Sequence, residues 1–257
     1  MIHAIDHLVI LVNDLDSAVA DYATLGFTVA PGGEHTGGAT HNALVPFQDG
    51  SYLELIAFLR EEPGHRWARH RAIGEGLVDF ALLPDAIVED IAAARARGLE
   101  IKGPTPGGRT RPDGQQVAWL LGEPATPDMP FLCADVTPRE LRVPPGDARM
   151  HANLASGIAE LTVAVRDVQA SAARYRALLG SEPVVLDEHT VSFGLGTARI
   201  TLAAPASDAP ADSAIRARLE TRGEGPLAFA LRAGHGSAGA LLDAQLAHGV
   251  KIDLVAG

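Results

Sequence analysis

The sequence has little of three things that would assign a function quickly: cysteine, excess positive charge and long apolar runs. Cys133 is the single cysteine of 257 residues, which excludes an intrachain disulfide and a zinc site built from several cysteines. The formal net charge of −11 argues against nucleic acid or an anionic membrane as a general partner. No run is long enough for a transmembrane helix, and residues 1–11 lack the features of a signal peptide. We therefore expect a cytoplasmic protein that binds neither nucleic acid nor membrane.

The chain instead repeats itself at two fixed offsets. The stretch DHLVILVNDLDS at 6–17 matches AELTVAVRDVQA at 159–170, with Asp14 opposite Asp167, 153 residues later. A second match relates the segments that begin at Phe80 and Phe229, 149 residues apart. The repeated unit is a strand, a helix opened by a polar cap, and further strands, and such a repeat sets the architecture of the whole chain. We predict an α+β fold of tandem βαβββ modules, with curved mixed sheets and helices outside.

Four copies of this unit divide the chain. Residues 1–135 hold the first two modules, and residues 136–157 form a proline-containing connector without periodicity. Residues 158–257 hold a second, degenerate pair, whose fourth module ends early after a strand, a helix and a last strand. Within the first pair we interpret 102–116 as a long polar loop. The truncated module predicts an exposed sheet edge, covered by a loop or by a second copy of the chain in a homodimer.

The first module alone carries a pair of ionisable residues on its strands. Alternate residues of a strand share one face, so pairing of the first and fourth strands would bring His7 and Glu54 together. One imidazole and one carboxylate are half of a typical divalent-metal site. The same two groups can also form a buried hydrogen-bonded pair without a metal. His41, one strand over, is either a third ligand or a polar residue lining the site.

Two arginines form a second candidate site. Arg109 and Arg111 lie next to a Pro-Asp-Gly turn, and guanidinium groups bind carboxylates and other oxyanions through paired hydrogen bonds. The alternative is a solvated hairpin loop in which one arginine pairs with Asp113. Trp119, in the middle of the next strand, is either a core residue or a wall on which a ligand stacks.

Four segments resemble the glyoxalase-like members of the vicinal-oxygen-chelate superfamily: DHLVILVNDLDSAVADYATLGF, THNALVPFQDGSYLELIA, GRTRPDGQQVAWLL and PFLCADVTPRELRVP. The resemblance covers 5–135 well and 158–204 more weakly. It implies paired modules that curl into a cup, in which a divalent metal (Zn, Ni, Mn or Fe) is often held by the first and last strands of each module. The superfamily also includes metal-free binding and antibiotic-sequestering proteins, so membership alone does not make the chain an enzyme.

The resemblance implies metal-ligand positions that this chain fills only in part. His7 and Glu54 match those of module one. In module two the corresponding positions would hold Asp79 and Cys133, with Asp135 just beyond, and none is the residue usual in the metal enzymes. We expect Cys133 and Asp135 to contact the ligand, and a buried cysteine is more often a small apolar residue than a nucleophile.

Two functions from different classes follow from these residues. The first is a metal-assisted lyase, isomerase or dioxygenase acting on a small oxygen-rich molecule in the first cup, where the metal polarises a carbonyl and Glu54 or His7 moves a proton. The second is a metal-free protein that binds or sequesters a small molecule.

Glu160 and Thr201 stand at the ligand positions of the second cup, so we expect no metal there.

Overall fold

The computed structural model describes residues 1–206, 212–234 and 239–256. Its first half contains, in order, β1 (Ile2–Leu11), α1 (Leu15–Thr24), β2 (Ala30–His35), β3 (Thr40–Pro46), β4 (Tyr52–Phe58), α2 (Ala68–Arg71), β5 (Gly76–Pro84), α3 (Ile87–Ala96), β6 (Ile101–Thr110), β7 (Gln116–Pro124) and β8 (Phe131–Asp135). After these come α4 (Arg139–Arg142), a 3-10 turn (Gly146–Arg149), β9 (Ala155–Ala164), α5 (Val168–Leu179), β10 (Val184–Asp187), β11 (Thr190–Leu195), β12 (Ala198–Ala203), α6 (Ser213–Thr221), β13 (Gly225–Ala233), β14 (Ala240–Leu241) and β15 (Lys251–Ala256). The predicted α+β fold of tandem βαβββ modules is confirmed.

The repeat is visible in the way the first helix of each half begins. Asp14 caps α1, because its Oδ1 accepts a hydrogen bond of 2.8 Å from the backbone N–H of Ser17. Asp167 caps α5 in the same way, with bonds of 2.9 and 3.0 Å from the N–H groups of Gln169 and Ala170. Such caps satisfy N–H groups that have no partner within the helix, which explains why the sequence places Asp at both positions.

The eight strands of the first half close into a barrel in the order β1-β4-β3-β2-β6-β7-β8-β5. The first and last strands of each module pair in parallel, β1 with β4 and β5 with β8, and β1 joins β5 in an antiparallel ladder. Closure depends on a short contact between β2 and β6, where Glu34 faces Thr110 and His35 faces Arg109. The cup of this chain is therefore a closed barrel with an enclosed interior.

The strand that closes the barrel lies in the segment predicted to be a polar loop, so that prediction was wrong. β6 pairs with β7 from Ile101 to Thr110, with an irregularity beside Gly103. A Cβ on Gly107 would lie 2.3 Å from Nε1 of Trp119, so this glycine permits a close approach of the two strands. Glycine and proline mark loops locally, but pairing with strands on both sides overrides that preference.

The second half forms an open sheet in the order β10-β11-β12-β9-β13-β15-β14. Glu160 on β9 pairs with Arg199 of β12 as His7 on β1 pairs with Tyr52 of β4, so the two first strands are equivalent. The helix predicted for the fourth module is wrong for residues 239–250, which form β14 and turns before β15 begins. The reason is visible at Leu242, whose N–H donates to the Ile252 carbonyl (3.0 Å) and thereby extends the sheet.

Apolar side chains fill both the space around the sheets and the inside of the barrel. The larger cluster joins the two halves and includes Leu8, Phe80 and Leu161, whereas a separate cluster inside the barrel includes Val9 and Trp119. In the described parts of the chain, no helix combines the length and the apolar character needed to cross a membrane. Polar side chains that enter the barrel are therefore surrounded by apolar walls, and the barrel interior is where we look for a binding site.

Candidate functional site in the first barrel

A cavity of about 310 Å³ occupies the interior of the first barrel. Its walls combine aromatic rings, basic groups and a carboxylate. The lining includes Tyr52, Trp67, Trp119, Phe131, His7, His35, His65, Arg66, Arg109, Arg142 and Glu54. Both tryptophans of the chain are among these residues. Concave sites with mostly apolar walls and a few converging polar groups are typical of small-molecule binding.

His7 and Glu54 meet inside this cavity, as strand alternation predicted. Nε2 of His7 lies 3.5 Å from Oε2 of Glu54, and both side chains are buried. The His7 ring stacks on Tyr52 with the two centroids 4.6 Å apart, and Phe131 contacts it edge-on. The ring orientation is therefore fixed by packing on two sides. The catalytic and metal-binding roles of the pair stay predictions.

Asp6 holds the other nitrogen of the His7 ring. Its buried Oδ2 lies 2.7 Å from Nδ1 of His7, and the same carboxylate accepts hydrogen bonds from Arg142 and forms an ion pair with Arg139. Burial raises the pKa of Asp6, but the two guanidinium groups and His7 outweigh it and hold that pKa well below its usual range. An ionised carboxylate only accepts hydrogen bonds, so Nδ1 of His7 is the donor and Nε2 faces Glu54.

Glu54 is a fixed carboxylate. Asn42 donates to its Oε1 at 2.6 Å, and Nε2 of His35 lies 3.4 Å from the same oxygen. Burial raises the pKa of Glu54, but His35, His7 and Asn42 together lower it to about 2. A group with so low a pKa takes up protons poorly near neutral pH. Glu54 is thus better suited to hold negative charge than to act as a general base.

His35, and not His41, is the second histidine of the site. His35 lines the cavity, and its Nδ1 lies 3.0 Å from Oγ1 of Thr40. His41 lines a separate hollow on the outside of the barrel, so its prediction as a ligand-site residue was wrong. Successive residues of a strand point to opposite faces, and on β3 it is Thr40 and Asn42 that face the interior. His35 was missed because its glycine-rich segment gives no strand alternation.

Arg109 is the arginine of the 109–111 pair that enters the cavity. Its side chain is 2% exposed, and Nη2 donates to the Arg142 carbonyl at 2.8 Å. Its Nε has no hydrogen-bond partner among the described residues. Burial lowers the pKa of Arg109, whereas Tyr52 and Glu54 act in the opposite sense. A buried donor is thus left in the cavity wall, where a ligand oxygen can satisfy it.

Two other predicted ligand residues lie outside the cavity. Arg111 donates to the Leu141 carbonyl (2.9 Å) and pairs with Asp113, so the hairpin alternative holds for this residue. The Asp135 carboxylate is taken by Arg139 and Arg142, with an Nε–Oδ1 distance of 2.5 Å to Arg142. Both side chains find protein partners and neither lines the cavity, so ligand contact by Arg111 and Asp135 stays a prediction.

Arg142 is the residue that sequence reasoning most clearly missed. It comes from the connector, is fully buried, and contacts Asp6, Asp135 and the Tyr52 hydroxyl. Burial lowers the pKa of Arg142, but Asp6 and the other neighbours outweigh it and raise that pKa well above its usual range. A connector without periodicity gave no signal that one of its arginines would enter the barrel.

Residues 5–179 of the chain match the family model of the glyoxalase-like domain. The chain belongs to the glyoxalase-like domain family. The resemblance to the vicinal-oxygen-chelate superfamily is thereby confirmed. In sequence, no curated protein matches the chain.

Solved structures show the same fold at low sequence identity. A hypothetical protein from Staphylococcus aureus aligns with a TM-score of 0.76 and 12% identity, over 98% of this chain and 99% of that one. A mutant of 4-hydroxymandelate synthase from Streptomyces coelicolor aligns with a TM-score of 0.58 and 16% identity, over 91% of this chain and 71% of that one. A fusion protein of a xylose isomerase-like TIM barrel and a 4-hydroxyphenylpyruvate dioxygenase gives a TM-score of 0.55 and 17% identity, over 92% and 37%. At these identities the likeness shows the fold alone.

The strand register places other residues than predicted at the ligand positions of module two. Ala81 pairs with Phe131 in the parallel ladder as His7 pairs with Tyr52, so Ala81 is the counterpart of His7. Asp79 is displaced by irregularities in the β1–β5 ladder, and Arg66 (2.9 Å) and Trp67 (2.8 Å) bind its carboxylate. This glyoxalase-like domain therefore has an alanine where the sequence comparison proposed an acid.

Cys133 and Trp119 line the cavity, and their contact with a ligand stays a prediction. Cys133 is the counterpart of Glu54 in module two, and burial raises the pKa of its thiol to about 12. Without a metal the thiol is therefore neutral at ordinary pH, which suits an apolar wall and not a nucleophile. Trp119 stands edge-on to His35 with their centroids 6.0 Å apart, and its indole forms a flat wall.

The donor set does not fit a metal held in the way the family resemblance implies. Within the described residues, no three His, Cys, Asp or Glu side chains are arranged to hold a metal ion. His7 and His35 lie against different oxygens of Glu54, while Ala81, the counterpart of His7 in module two, offers no ligand. Metal binding at His7 and Glu54 stays a prediction that needs its own test.

Proposed function

We propose that the first barrel of this glyoxalase-like domain binds a small, oxygen-rich, negatively charged molecule without the help of a metal. The proposal rests on Arg109, a buried cation in the cavity wall whose Nε lacks a partner among the described residues. Removing the partner of a buried charge costs several kcal/mol, so an anionic oxygen at this position is strongly favoured. The net negative charge of the whole chain does not favour an anionic ligand. The preference for an anion comes from the local positive charge of Arg109.

The rest of the cavity narrows the chemistry of the ligand. Trp119, Phe131 and the stacked His7–Tyr52 pair offer flat faces to a planar group. Glu54 is an acceptor only and needs an O–H or N–H donor on the ligand. A hydroxy acid or an enol acid meets both demands, with its carboxylate on Arg109 and its hydroxyl on Glu54.

Proton transfer by His7 is the second candidate function, and the contact with Asp6 favours it. Asp6 accepts the Nδ1 hydrogen, so Nε2 is the ring nitrogen that faces the cavity and Glu54. A base held in this way can take a proton from a bound hydroxy acid, as in an isomerase or a lyase. The ionised Glu54, 3.5 Å from Nε2, then stabilises the positive charge that develops on the ring.

Fluorescence of the two cavity tryptophans gives a direct binding assay. Salicylate and salicylamide share a ring and a hydroxyl but differ in charge, and we expect salicylate alone to quench the fluorescence saturably. Arg109→Gln should weaken salicylate binding about 10- to 100-fold, the value of a charge-assisted hydrogen bond. Arg111→Gln removes the same charge from the same segment outside the cavity and should bind salicylate as the wild type does. Equal affinity for acid and amide would contradict the proposal.

Metal analysis separates the metal-free proposal from a metal-assisted enzyme. The purified protein is expected to carry no stoichiometric divalent metal after incubation with Zn, Ni, Mn or Fe and removal of excess. A stoichiometric metal whose affinity falls at least about 10-fold in Glu54→Gln would instead place it at the predicted ligands. That result would overturn the metal-free proposal in favour of a metal-assisted lyase, isomerase or dioxygenase.

A further inference from the structure

Away from the barrel cavity, four basic side chains collect where the two halves of the chain meet. Arg69 and His70 belong to α2, and Arg218 and Arg222 lie in the last turn of α6 and just after it. We call these four residues the basic cluster. The described residues form no ion pair with any of them that would balance the charge.

The buried members of the basic cluster have hydrogen-bonding atoms without partners. Arg218 is 6% exposed and donates through Nη1 to the Leu77 carbonyl (3.1 Å), but its Nε and Nη2 have no partner among the described residues. His70 is 2% exposed, and its Nδ1 also has no hydrogen-bond partner among the described residues. Arg222 donates through Nη2 to the carbonyls of Gly74 and Glu75, whereas its Nη1 is unpartnered. The N–H donors of Arg218 and Arg222 therefore await an acceptor, and the neutral His70 ring can donate or accept.

The electrostatics of the basic cluster are unfavourable without an anion. Burial, followed by the charges of Arg222 and Arg69, lowers the pKa of Arg218 to about 10. Burial and the three arginines lower the pKa of His70 to about 3. Asp79 is the acid that acts on Arg218, but Arg66 and Trp67 already bind its carboxylate. A protein that keeps several like charges together in a buried place usually satisfies them with a counter-charge.

The cluster borders a hollow of about 520 Å³ that is open to the surface. Arg69, His70, Thr126 and Pro127 line it, and Oγ1 of Thr126 is buried without a partner among the described residues. Arg218 is not part of this lining but lies next to it, because an added Cβ on Gly225 would be 2.6 Å from Nη2 of Arg218 and 3.4 Å from the carbonyl of Pro127, which lines the hollow.

The acidic side chains of the hollow do not neutralise the cluster. Asp79 and Glu123 both pair with Arg66, at 2.9 and 3.0 Å. Glu100 and Lys102 also line the hollow and contribute opposite charges. The excess of positive charge therefore lies on the side of α2 and α6.

We propose that the basic cluster is a second ligand site, which binds a phosphate group, either free or as a monoester. The guanidinium groups come from α2 and from the end of α6, and a tetrahedral dianion offers acceptors to more than one of them. A planar monocarboxylate would match the fork of one arginine and leave the others unsatisfied. Bound phosphate would also connect α2 of the first half to α6 of the second, so it should stabilise the junction of the two halves.

Calorimetric titration with inorganic phosphate tests the site, with chloride and acetate at equal ionic strength as references. We expect saturable binding of phosphate and a higher melting temperature in phosphate than in either reference. Arg69→Gln changes an exposed residue, so the variant should fold and bind phosphate at least about 10-fold more weakly. Arg71→Gln is the matched control, because this arginine of the same helix lies over the Phe58 ring, 5.5 Å from its centroid, and away from the cluster.

Further variants separate this site from the barrel cavity. Arg218→Gln should also lose phosphate binding. If the Arg218 variant does not fold, phosphate binding by Arg69→Gln alone tests the proposal. Arg109→Gln should bind phosphate as the wild type does. Phosphate binding that disappears in Arg109→Gln, or is unchanged in Arg69→Gln, would overturn the proposal, as would a wild type that responds equally to phosphate and acetate. Glycerol 3-phosphate identifies the source: binding equal to that of phosphate supports a monoester, and no binding supports the free ion.

Discussion

Among the described residues the first half has one strand more than the second, and that strand closes its sheet into a barrel. In the first half β6 lies between β2 and β7 and closes the barrel, whereas β10 and β14 are opposite edges of the second sheet among the described residues. The first strands and the capped helices correspond in both halves. A repeated module is thus sufficient to build a curved sheet, but an enclosed site needs closure.

The same comparison applies to the side chains at equivalent positions. Glu160 corresponds to His7. It forms an ion pair of 2.8 Å with Arg199, whose side chain is 63% exposed. Thr201 corresponds to Glu54 and donates to Glu160 at 2.8 Å. Water competes with the Glu160–Arg199 pair, whereas the contacts of His7 and Glu54 are buried. Equal positions in the repeat therefore carry very different electrostatic energies.

The largest effect that would sharpen this contrast is expected for Asp6→Asn. The change removes a buried charge on which Arg142 and Arg139 depend, so the free energy of unfolding should fall by about 3–5 kcal/mol. Urea unfolding measures it. The matched change in the second half is Glu160→Gln, which removes a solvent-exposed pair and should cost about 0–1 kcal/mol. Similar losses in the two variants would show that burial in the barrel has no energetic consequence.

The next effect concerns acid stability. The folded pKa of Glu54 is about 2, below its ordinary value of 4.5, so the folded state binds fewer protons than the unfolded chain in this range. Its stabilising contribution is therefore fully present above pH 4.5 and is lost as the pH falls towards 2. Over this window it amounts to about 3 kcal/mol. Urea midpoints at pH 5, 4 and 3 should fall less steeply for Glu54→Gln than for the wild type.

Glu160→Gln serves as the control for the acid series. Its slope with pH should equal that of the wild type if the comparison of the two halves is right. A Glu54→Gln variant with an unchanged slope would mean that the carboxylate has no depressed pKa in the folded protein.

The fold could be predicted from the sequence because the repeat constrains it at several levels at once. The matching Asp caps, the apolar first strands and the two offsets all point to the same module. His7 and Glu54 could be placed together because both lie on regular strands, where alternation fixes the face. These predictions use local periodicity, and they succeed where the structure is locally periodic.

The missed residues share the opposite property. His35 lies on a strand rich in glycine, and Arg142 comes from a connector; neither has a periodic context. The β2–β6 contact that brings His35 opposite Arg109 is made by only two residue pairs, between segments some 70 residues apart. Such contacts result from closure of the whole barrel, and no local signal reports them. The same holds for the fourth module, where sheet pairing at Leu242 replaced the predicted helix.

The smallest expected effect concerns the free edge of the second sheet. β10 pairs only with β11 among the described residues, and Val184, Val185 and Leu186 are more than half exposed. An exposed apolar edge strand is a template for pairing with another chain, whereas β2 in the first half has neighbours on both sides. We predict that a second copy of the chain covers this edge in a homodimer. Val185→Lys should then weaken self-association about 10-fold, or by about 1.4 kcal/mol, and change the unfolding free energy of the monomer by less than about 0.5 kcal/mol.

Light scattering coupled to size-exclusion chromatography over a range of concentrations measures this effect. Val88→Lys is the matched control, because Val88 is an exposed valine on α3, away from any free edge, and its variant should associate as the wild type does. The two halves are then distinguished by association as well as by chemistry: the closed barrel has no free strand to offer, and the open sheet does. A wild type that is monomeric at every concentration would show that no second copy covers β10, and equal weakening by Val88→Lys would show that the dimer forms elsewhere.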